Sequence, residues 1–438
     1  MQTKFNQGLS ITFLFILSMI KINAQTTIGL EDALSRMESN NLQIKISNYN
    51  LDGAREDVEQ MKSIYLPQIS LSATGMATNT PLNAFGTKLQ QGAIMQSDFI
   101  PDDLNAPSSI TNLNTQLMVR QPIFNTDARA MKKAMDAKSK SYGHQLMRTK
   151  EVLKNQVVQA YLNLQLMYEM HEVLQNAKNT SEANLKLAND NYEAGYLQYS
   201  DVLMVKVHVN EIENQLFQVT QNIANISDQL SFLMGSEYGV IYKPYDELAF
   251  SDESAILSKE ITLNRSDFKA VEGQVEAQQY MLDAAEKAGV PRLNAFASYD
   301  LNNSLDFAEA QHGYMVGVQA SWDIFNGNRN KSAARKAKVE LDKSRTQLDQ
   351  MIAQSQLEFE TTKRLMLEAR QKMSLAETAI EQSKESLRIK TDRFAEGLEK
   401  TTDILVAETT LSQKEMEYVN AVYQYQNALA TLRLLLEQ

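Results

Sequence analysis

No proline occurs between residues 123 and 243, or after residue 291, although the chain carries seven. Glycine is nearly as rare there. Gly143 and Gly195 are the only two from 123 to 234, and Gly397 is the only one from 328 to 438. Proline removes a helical N–H and collides with the preceding turn, while glycine loses the most backbone freedom, so both interrupt helices. Their scarcity predicts two long helical regions, 125–234 and 326–436. One glycine in each, Gly195 and Gly397, then marks the place where the chain turns back. At 1.5 Å per residue, the stretch from Asn125 to Gly195 amounts to roughly 105 Å of helix.

The two turns are copies of one another. The sequence reads NYEAGYLQYSDVL from Asn191 and RFAEGLEKTTDIL from Arg393. Each has an aromatic residue, a glycine three positions on and an aspartate six further, and both the glycines and the aspartates stand 202 positions apart. The flanking periodicity repeats as well. Ile352, Phe359, Met366, Met373, Ile380, Leu387 and Phe394 recur every seven residues, and Ile404, Leu411, Tyr418, Tyr425 and Leu432 continue the spacing after the turn. Val202, Val209, Leu216, Ile223 and Leu230 are the counterparts in the first half. A seven-residue repeat keeps one seam facing a partner helix. Beside it runs a row of small residues, Ser355, Thr362, Ala369, Ala376 and Ser383, which lets a neighbouring helix come close. His171 and Lys178 make the ascending helix of the first half less regular. The chain is an internal duplication, and the repeat sets its architecture.

Ahead of each helical hairpin the period changes to two. Residues 68–78 set Ile69, Leu71 and Ala73 against Gln68, Ser70, Ser72 and Thr74, and residues 112–121 set Leu113, Leu117 and Val119 against Asn114, Gln116 and Arg120. In the second half, 292–301 alternates Leu293, Ala295, Ala297, Tyr299 and Leu301 with Asn294, Ser298 and Asp300. Over 313–324, Tyr314, Val316, Val318, Ala320, Trp322 and Ile324 oppose Gly317, Gln319, Ser321 and Asp323. These read as four strands, each with one apolar and one polar face. Their length suits a membrane strand as well as the sheet of a soluble sandwich. In a membrane, Tyr299, Tyr314 and Trp322 are the interfacial aromatics. Four strands cannot close a barrel, so several chains would have to share one.

The N-terminal MQTKFNQGLSITFLFILSMIKINAQ has Lys4 before an apolar core too short to span a bilayer, with a cleavage site after Ala24: a secretory signal over 1–24. No later apolar run approaches the roughly 18 residues of a membrane helix. The chain has no cysteine, which excludes disulfides and thiolate metal sites. A net charge of −11, without a free basic cluster, argues against nucleic acid. The organisation is a signal (1–24), a first repeat (25–240), a linker (241–263) and a second repeat (264–438).

Several stretches resemble the TolC family of outer-membrane channels. They are Leu30-Glu31-Asp32-Ala33-Leu34 with Asn40-Asn41, Tyr65-Leu66-Pro67 and its counterpart Val290-Pro291, Pro122-Ile123-Phe124, Asp323-Ile324-Phe325-Asn326, and Asn264-Arg265-Ser266-Asp267. The resemblance implies an α+β membrane protein in which three protomers share a 12-stranded outer-membrane β-barrel continued by a periplasmic coiled-coil α-barrel. It implies a passive conduit for small molecules or polypeptides, without cofactor or metal, partnered by a periplasmic adaptor protein, an inner-membrane pump and outer-membrane lipid. The glycine turns become the periplasmic tips, with Gly195, Tyr196, Leu197, Gly397 and Leu398 docking the adaptor. Asp201, Asp403, Phe394 and Glu399 take the positions of the gate. The family's pattern has a tyrosine and an arginine where this chain has Phe394 and Glu399. The lock they form is therefore missing here, and Lys400 and Arg393 are the cations at hand to replace it.

Ser200-Asp201 and Thr402-Asp403 also stand where returning helices begin, so capping is a second and compatible role for the aspartates. The histidines, His144, His171, His208 and His312, lack ligand spacing, and the twenty methionines read as packing. No catalytic motif is present, so the chain is not expected to be an enzyme. The rival reading is an exported coiled-coil scaffold without a pore, which would have no use for four alternating strands. The segments 79–111 and 302–312, each joining a strand pair, are expected to be extracellular loops.

Overall fold

The computed structural model describes residues 26–304 and 310–437. The signal segment 1–24 lies outside the described residues, as does the centre of the 302–312 loop. In chain order the elements are β1 (Thr26–Ile28), α1 (Leu30–Asn40), α2 (Leu42–Met61), β2 (Gln68–Thr78), α3 (Pro81–Gln90), α4 (Pro101–Asn105), β3 (Ile110–Phe124), α5 (Thr126–Glu193) and α6 (Tyr199–Met234). There follow β4 (Tyr242–Pro244), α7 (Ser266–Lys287), β5 (Arg292–Asn303), β6 (Gln311–Ser321), α8 (Arg329–Ala395) and α9 (Thr401–Leu436). α5 has 68 residues and α8 has 67, so each runs unbroken for about 100 Å. Gly143 sits inside α5 without ending it.

The chain divides into two compact units. One comprises the residues up to Asn48, Gln145–Phe268 and those from Gln350 onward; the other comprises Tyr49–His144 and Lys269–Asp349.

The first unit has a core in each repeat. Leu153, Val157, Tyr161 and Leu164 of α5 pack with Ile223, Leu230 and Met234 of α6 and with Ile28 and Met37 from the start of the chain. Phe359, Met366 and Met373 of α8 pack with Val422, Tyr425, Leu429 and Leu432 of α9. Ile223, Leu230, Phe359, Met366, Met373, Tyr425 and Leu432 among them are positions of the seven-residue seam. The small row beside it is buried too at Ser355, Thr362, Ala369 and Ala376, as close helix packing requires.

The 241–263 segment is more than a connection. Its β4 pairs in parallel with β1, Thr26 opposite Tyr242, and Tyr161 and Tyr168 of α5 donate their hydroxyls to Ile28 O at 3.2 Å and Tyr242 O at 3.0 Å. Ile256, in a 3₁₀ turn over Ser254–Ser258, enters the second core. Three-residue strands carry too little pattern to be read from sequence, because their stability comes from what they dock against.

The Asn264–Asp267 motif opens the second repeat as a buried charge network. Asp267 accepts from Arg265 Nε at 3.1 Å and Nη2 at 2.5 Å, and Arg148 Nε of α5 lies 3.3 Å from it. Arg265 also donates to Ser355 Oγ of α8 and to Leu435 O of α9, and its guanidinium covers the Phe268 ring at 4.4 Å. Glu151 and Glu437 converge on Ser266, at its hydroxyl (3.2 Å) and its N–H (2.6 Å). Burial, followed by the Glu437 charge, pushes the Glu151 carboxyl above its ordinary range. One arginine thus ties three helices together.

The second unit is built on a four-stranded antiparallel sheet of order β2-β3-β5-β6. The register places the side chains in rows across all four strands. On one face, Ile69, Val119, Ala297 and Val316 form a row, and Leu71, Leu117, Tyr299 and Tyr314 form the next. On the other, Ser72, Gln116, Asp300 and Gly313 are aligned, as are Gln68, Arg120, Phe296 and Gly317. The apolar face is exposed, Leu71 at 73% and Val316 at 72%; on the polar face the central strands bury Asn112, Ser298 and Asn302 at 1%, 7% and 7%, while the outer strands β2 and β6 are exposed on both faces. The polar residues bond to each other. Asn112 and Asn114 donate to Asn302 Oδ1 at 3.0 and 3.1 Å, and Gln116 donates to Asp300 Oδ1 at 2.7 Å.

Several strand limits differ from the alternation in the sequence: β3 begins at Ile110, β5 runs to Asn303 and β6 begins at Gln311. β3 continues to Phe124 because Pro122, which has no N–H to offer, sits at a shift of register. β6 stops at Ser321, so Trp322 and Ile324 lie beyond it. Trp322 Nε1 donates to Gly289 O at 2.9 Å, and the left-handed pair Gly327 and Asn328 then turns the chain into α8. The 79–111 segment holds α3 and α4, fastened by the Lys88–Asp98 ion pair at 2.5 Å and by Gln91, which donates to Thr111 O and Asn112 Oδ1.

Removing one member of a buried ion pair leaves the other charge unpaired, which costs about 3–5 kcal/mol. Arg265→Ala is therefore expected to lower stability by that amount in urea unfolding of the detergent-solubilised protein.

Candidate functional site at the hairpin ends

The two glycine turns have one geometry. After α5, Gly195 N–H bonds to Tyr192 O at 3.0 Å and Tyr196 N–H to Asn191 O at 2.8 Å. After α8, Gly397 N–H bonds to Phe394 O at 3.0 Å and Leu398 N–H to Arg393 O at 2.9 Å. This is the Schellman closure, in which the last free helical carbonyls are satisfied by a left-handed residue. Gly195 has φ +80° and Gly397 φ +74°, a region that a Cβ penalises by roughly 1–2 kcal/mol. In both turns the residue after glycine stands in the open: Tyr196 is 78% and Leu398 64% accessible.

The returning helices start alike. Gln198 and Lys400 are the extended residues before α6 and α9. Asp201 N–H bonds to Gln198 O and Asp403 N–H to Lys400 O, each at 3.0 Å. Asp201 Oδ2 also accepts the Gln198 N–H at 3.2 Å, the reciprocal arm of a cap, and Lys390 Nζ approaches Asp403 O at 3.4 Å.

The structure brings the two ends into one cluster. Ala188, Val202 and Val205 of the first hairpin pack with Phe394 and Ile404 of the second, with Leu197 at the edge. Phe394 is 2% accessible and serves as packing, whereas its counterpart Tyr192 is exposed and lies 5.5 Å from the Tyr199 ring. Glu399 is held by Arg393 at 2.9 Å. Among the described residues no hydrogen bond or ion pair joins Glu399 to Asp201, and the arginine at hand neutralises its own hairpin. Tyr299, Tyr314 and Trp322 belong to the second unit, where all three are exposed.

A polar layer under the tip has only a faint trace in the sequence. Glu408 of α9 is buried, takes a hydrogen bond from Asn184 of α5 and lies 3.4 Å from His208 Nε2 of α6. Beside it is a cavity of about 420 Å³ lined by all four long helices, with Thr180, His208, Leu387 and Met416 among its walls. Glu415, also on that wall, has its carboxyl raised by burial. The available signal is an acid one helical turn after the seam residue Ile404, on the same face of α9. Lys178, the irregular seam position, bonds to Glu213 at 2.9 Å. Among the described residues, no group of three or more acids and histidines converges to hold a metal ion.

Two repeats, each a strand pair and a long hairpin with a matching tip, define a duplicated outer-membrane channel protomer. The comparisons agree. The sequence profile of the outer membrane efflux protein family matches residues 33–236 and 257–438, and the chain belongs to that family. The alkaline protease secretion protein AprF of Pseudomonas aeruginosa is 20% identical over 326 residues, 72% of this chain and 68% of its own length. PrtF, the proteases secretion protein of Dickeya chrysanthemi, is 20% identical over 95% of this chain and 90% of its own. The solvent efflux pump outer membrane protein SrpC of Pseudomonas putida is 25% identical over 52% of this chain and 50% of its own. Among solved structures, the outer membrane protein VceC of Vibrio cholerae superposes with a TM-score of 0.77 at 17% identity, covering 93% of this chain and 95% of that one. CusC gives 0.78 at 15% identity, over 95% of both chains. This chain is an outer-membrane channel protein of export, and its place is the outer membrane.

The two tip contacts should weigh very differently. Phe394→Ala empties a buried site and is expected to cost about 3–5 kcal/mol. Arg393→Ala breaks an exposed pair worth about 0–1 kcal/mol. Hydrogen exchange of the tip amides should show much faster opening for the first and near-native protection for the second.

Proposed function

We propose that three copies of this chain assemble into one conduit, closed by twelve strands in the outer membrane and continued by their long helices in the periplasm. Cargo, either small molecules or polypeptides, passes through it, driven by an inner-membrane pump that reaches the tips through a periplasmic adaptor. The observation that carries this reading is the inverted sheet: its apolar face is exposed and its polar face bonded, the arrangement that lipid outside and water inside would favour. β2 and β6 have one pairing edge each without a partner among the described strands, which a neighbouring copy would fill. Three as the number rests on the TolC resemblance. AprF and PrtF are named for protease secretion and SrpC for solvent efflux, so the family spans both kinds of cargo.

The tips are the proposed docking and gating site. Gly195, Tyr196, Leu197, Gly397 and Leu398 offer the adaptor two matching turns per protomer. Asp201 and Asp403 are half-buried, and Asp201 accepts the Gln198 N–H at the start of α6. Three copies would set six carboxylates around the passage and favour cations there. A scaffold without a pore would be a water-soluble protein, whereas this sheet would leave its apolar face wet.

Purified protein in planar bilayers is expected to conduct, with cation selectivity that weakens in the Asp201→Asn, Asp403→Asn double variant while the assembly persists on native gels. A detergent-free monomer without conductance would refute the channel. An epitope inserted at Asp102 should be accessible to antibody on intact cells. Labelling confined to permeabilised cells would reverse the orientation of the sheet.

A further inference from the structure

The four strands of the large sheet contain three charged side chains, Arg120, Arg292 and Asp300. All three fall on the polar face, since side chains alternate along a strand and the register aligns these positions. Arg292 is paired with Asp127. The other two have no ion pair among the described residues. Asp300 is nonetheless fixed in place: Gln116 donates to Oδ1 at 2.7 Å and Ser298 Oγ to Oδ2 at 2.9 Å. Across from it on β6 stands Gly313, which puts no side chain over the carboxylate. Arg120 is exposed, and its row, Gln68, Phe296 and Gly317, carries no acid. Four residues along β3 separate the Gln116 and Arg120 rows, roughly 13 Å at about 3.3 Å per residue.

Unpaired charges in a membrane-spanning sheet are costly unless they face water, and where they persist they act on what passes. We propose that Asp300 and Arg120 form two charge belts of opposite sign inside the sheet's water-lined passage. The Asp300 belt admits cations and the Arg120 belt admits anions, independently of the aspartates at the hairpin tips. Each copy contributes one residue to each belt. The inference rests on the proposed assembly into a channel. It goes further in naming side chains of the sheet that select small ions by charge.

The absence of native cysteine makes a direct test possible. Ser72→Cys places a thiol in the Asp300 row, Gln68→Cys in the Arg120 row and Leu71→Cys on the apolar face. In proteoliposomes, each is reacted with a cationic trimethylammonium-ethyl and an anionic sulfonatoethyl methanethiosulfonate. Ser72→Cys should prefer the cationic reagent about fivefold, and adding Asp300→Asn should abolish that preference. Gln68→Cys should prefer the anionic reagent by a similar factor until Arg120→Gln is added. Leu71→Cys should stay unreactive in lipid. Preferences unchanged by Asp300→Asn or Arg120→Gln would overturn the belts. So would an unreactive Ser72→Cys, or a Leu71→Cys as reactive as Ser72→Cys. Planar-bilayer conductance separates this from the channel reading: charge-sorted labelling without conductance would refute the channel alone, and conductance with unsorted labelling would refute the belts alone.

Discussion

The fold depends on a sheet that cannot be satisfied by its own chain. β2 and β6 each leave a row of N–H and C=O groups without a strand partner among the described residues. One face meanwhile turns Leu71, Val316 and Tyr314 outward. Exposed apolar area costs on the order of 25 cal/mol per Å² against a buried state, and free strand edges seek strands. In the proposed assembly, lipid would meet the first demand and a neighbouring copy the second. On the polar face Asn112, Asn114, Gln116, Asp300 and Asn302 are bonded across β3 and β5 within the single chain.

The helical unit solves a different problem. A helix of about 100 Å has no stability of its own to spare, and its seam must be covered along its length. Each repeat does this by folding its helix back at a glycine and pairing the two arms through a seven-residue seam. The ends are then locked to one another by Phe394, Val202, Val205 and Ile404. Between the two hairpins the apolar packing is interrupted at Glu408, whose carboxylate accepts from Asn184. A buried polar layer of this kind costs stability but penalises slipped registers. At the other end of this unit's chain segments, Arg265 reads out three helices at once. A motif of four residues, unremarked by periodicity, anchors the start of the second repeat.

Much of this was legible beforehand because the signals are local. Helix length follows from where proline and glycine are missing, turn position from Gly195 and Gly397, and strand faces from alternation. Other features had no local signature. β1 and β4 are three residues each and exist because Tyr161 and Tyr168 hold them. Trp322 looks like the next residue of β6 by alternation, yet its indole N–H is taken by Gly289 O, and the strand ends before it. Phe394 stands at a gate position by resemblance, but its side chain fills the tip core. Glu399 has two cations near it in the sequence, Arg393 and Lys400, and the turn brings it to Arg393.

The sequence by itself determined the duplication, the two long hairpins, their glycine turns and the two-faced strands, because periodicity and backbone tolerance act over neighbouring residues. Only the tertiary structure decided how those pieces share their charges and their cores. Asp300 is held by Gln116 from another strand while Arg120 stays unpaired, and Glu408 is buried against the opposite hairpin. Partners such as these are brought together by packing and register across scores of residues, distances over which no pattern along the chain can specify them.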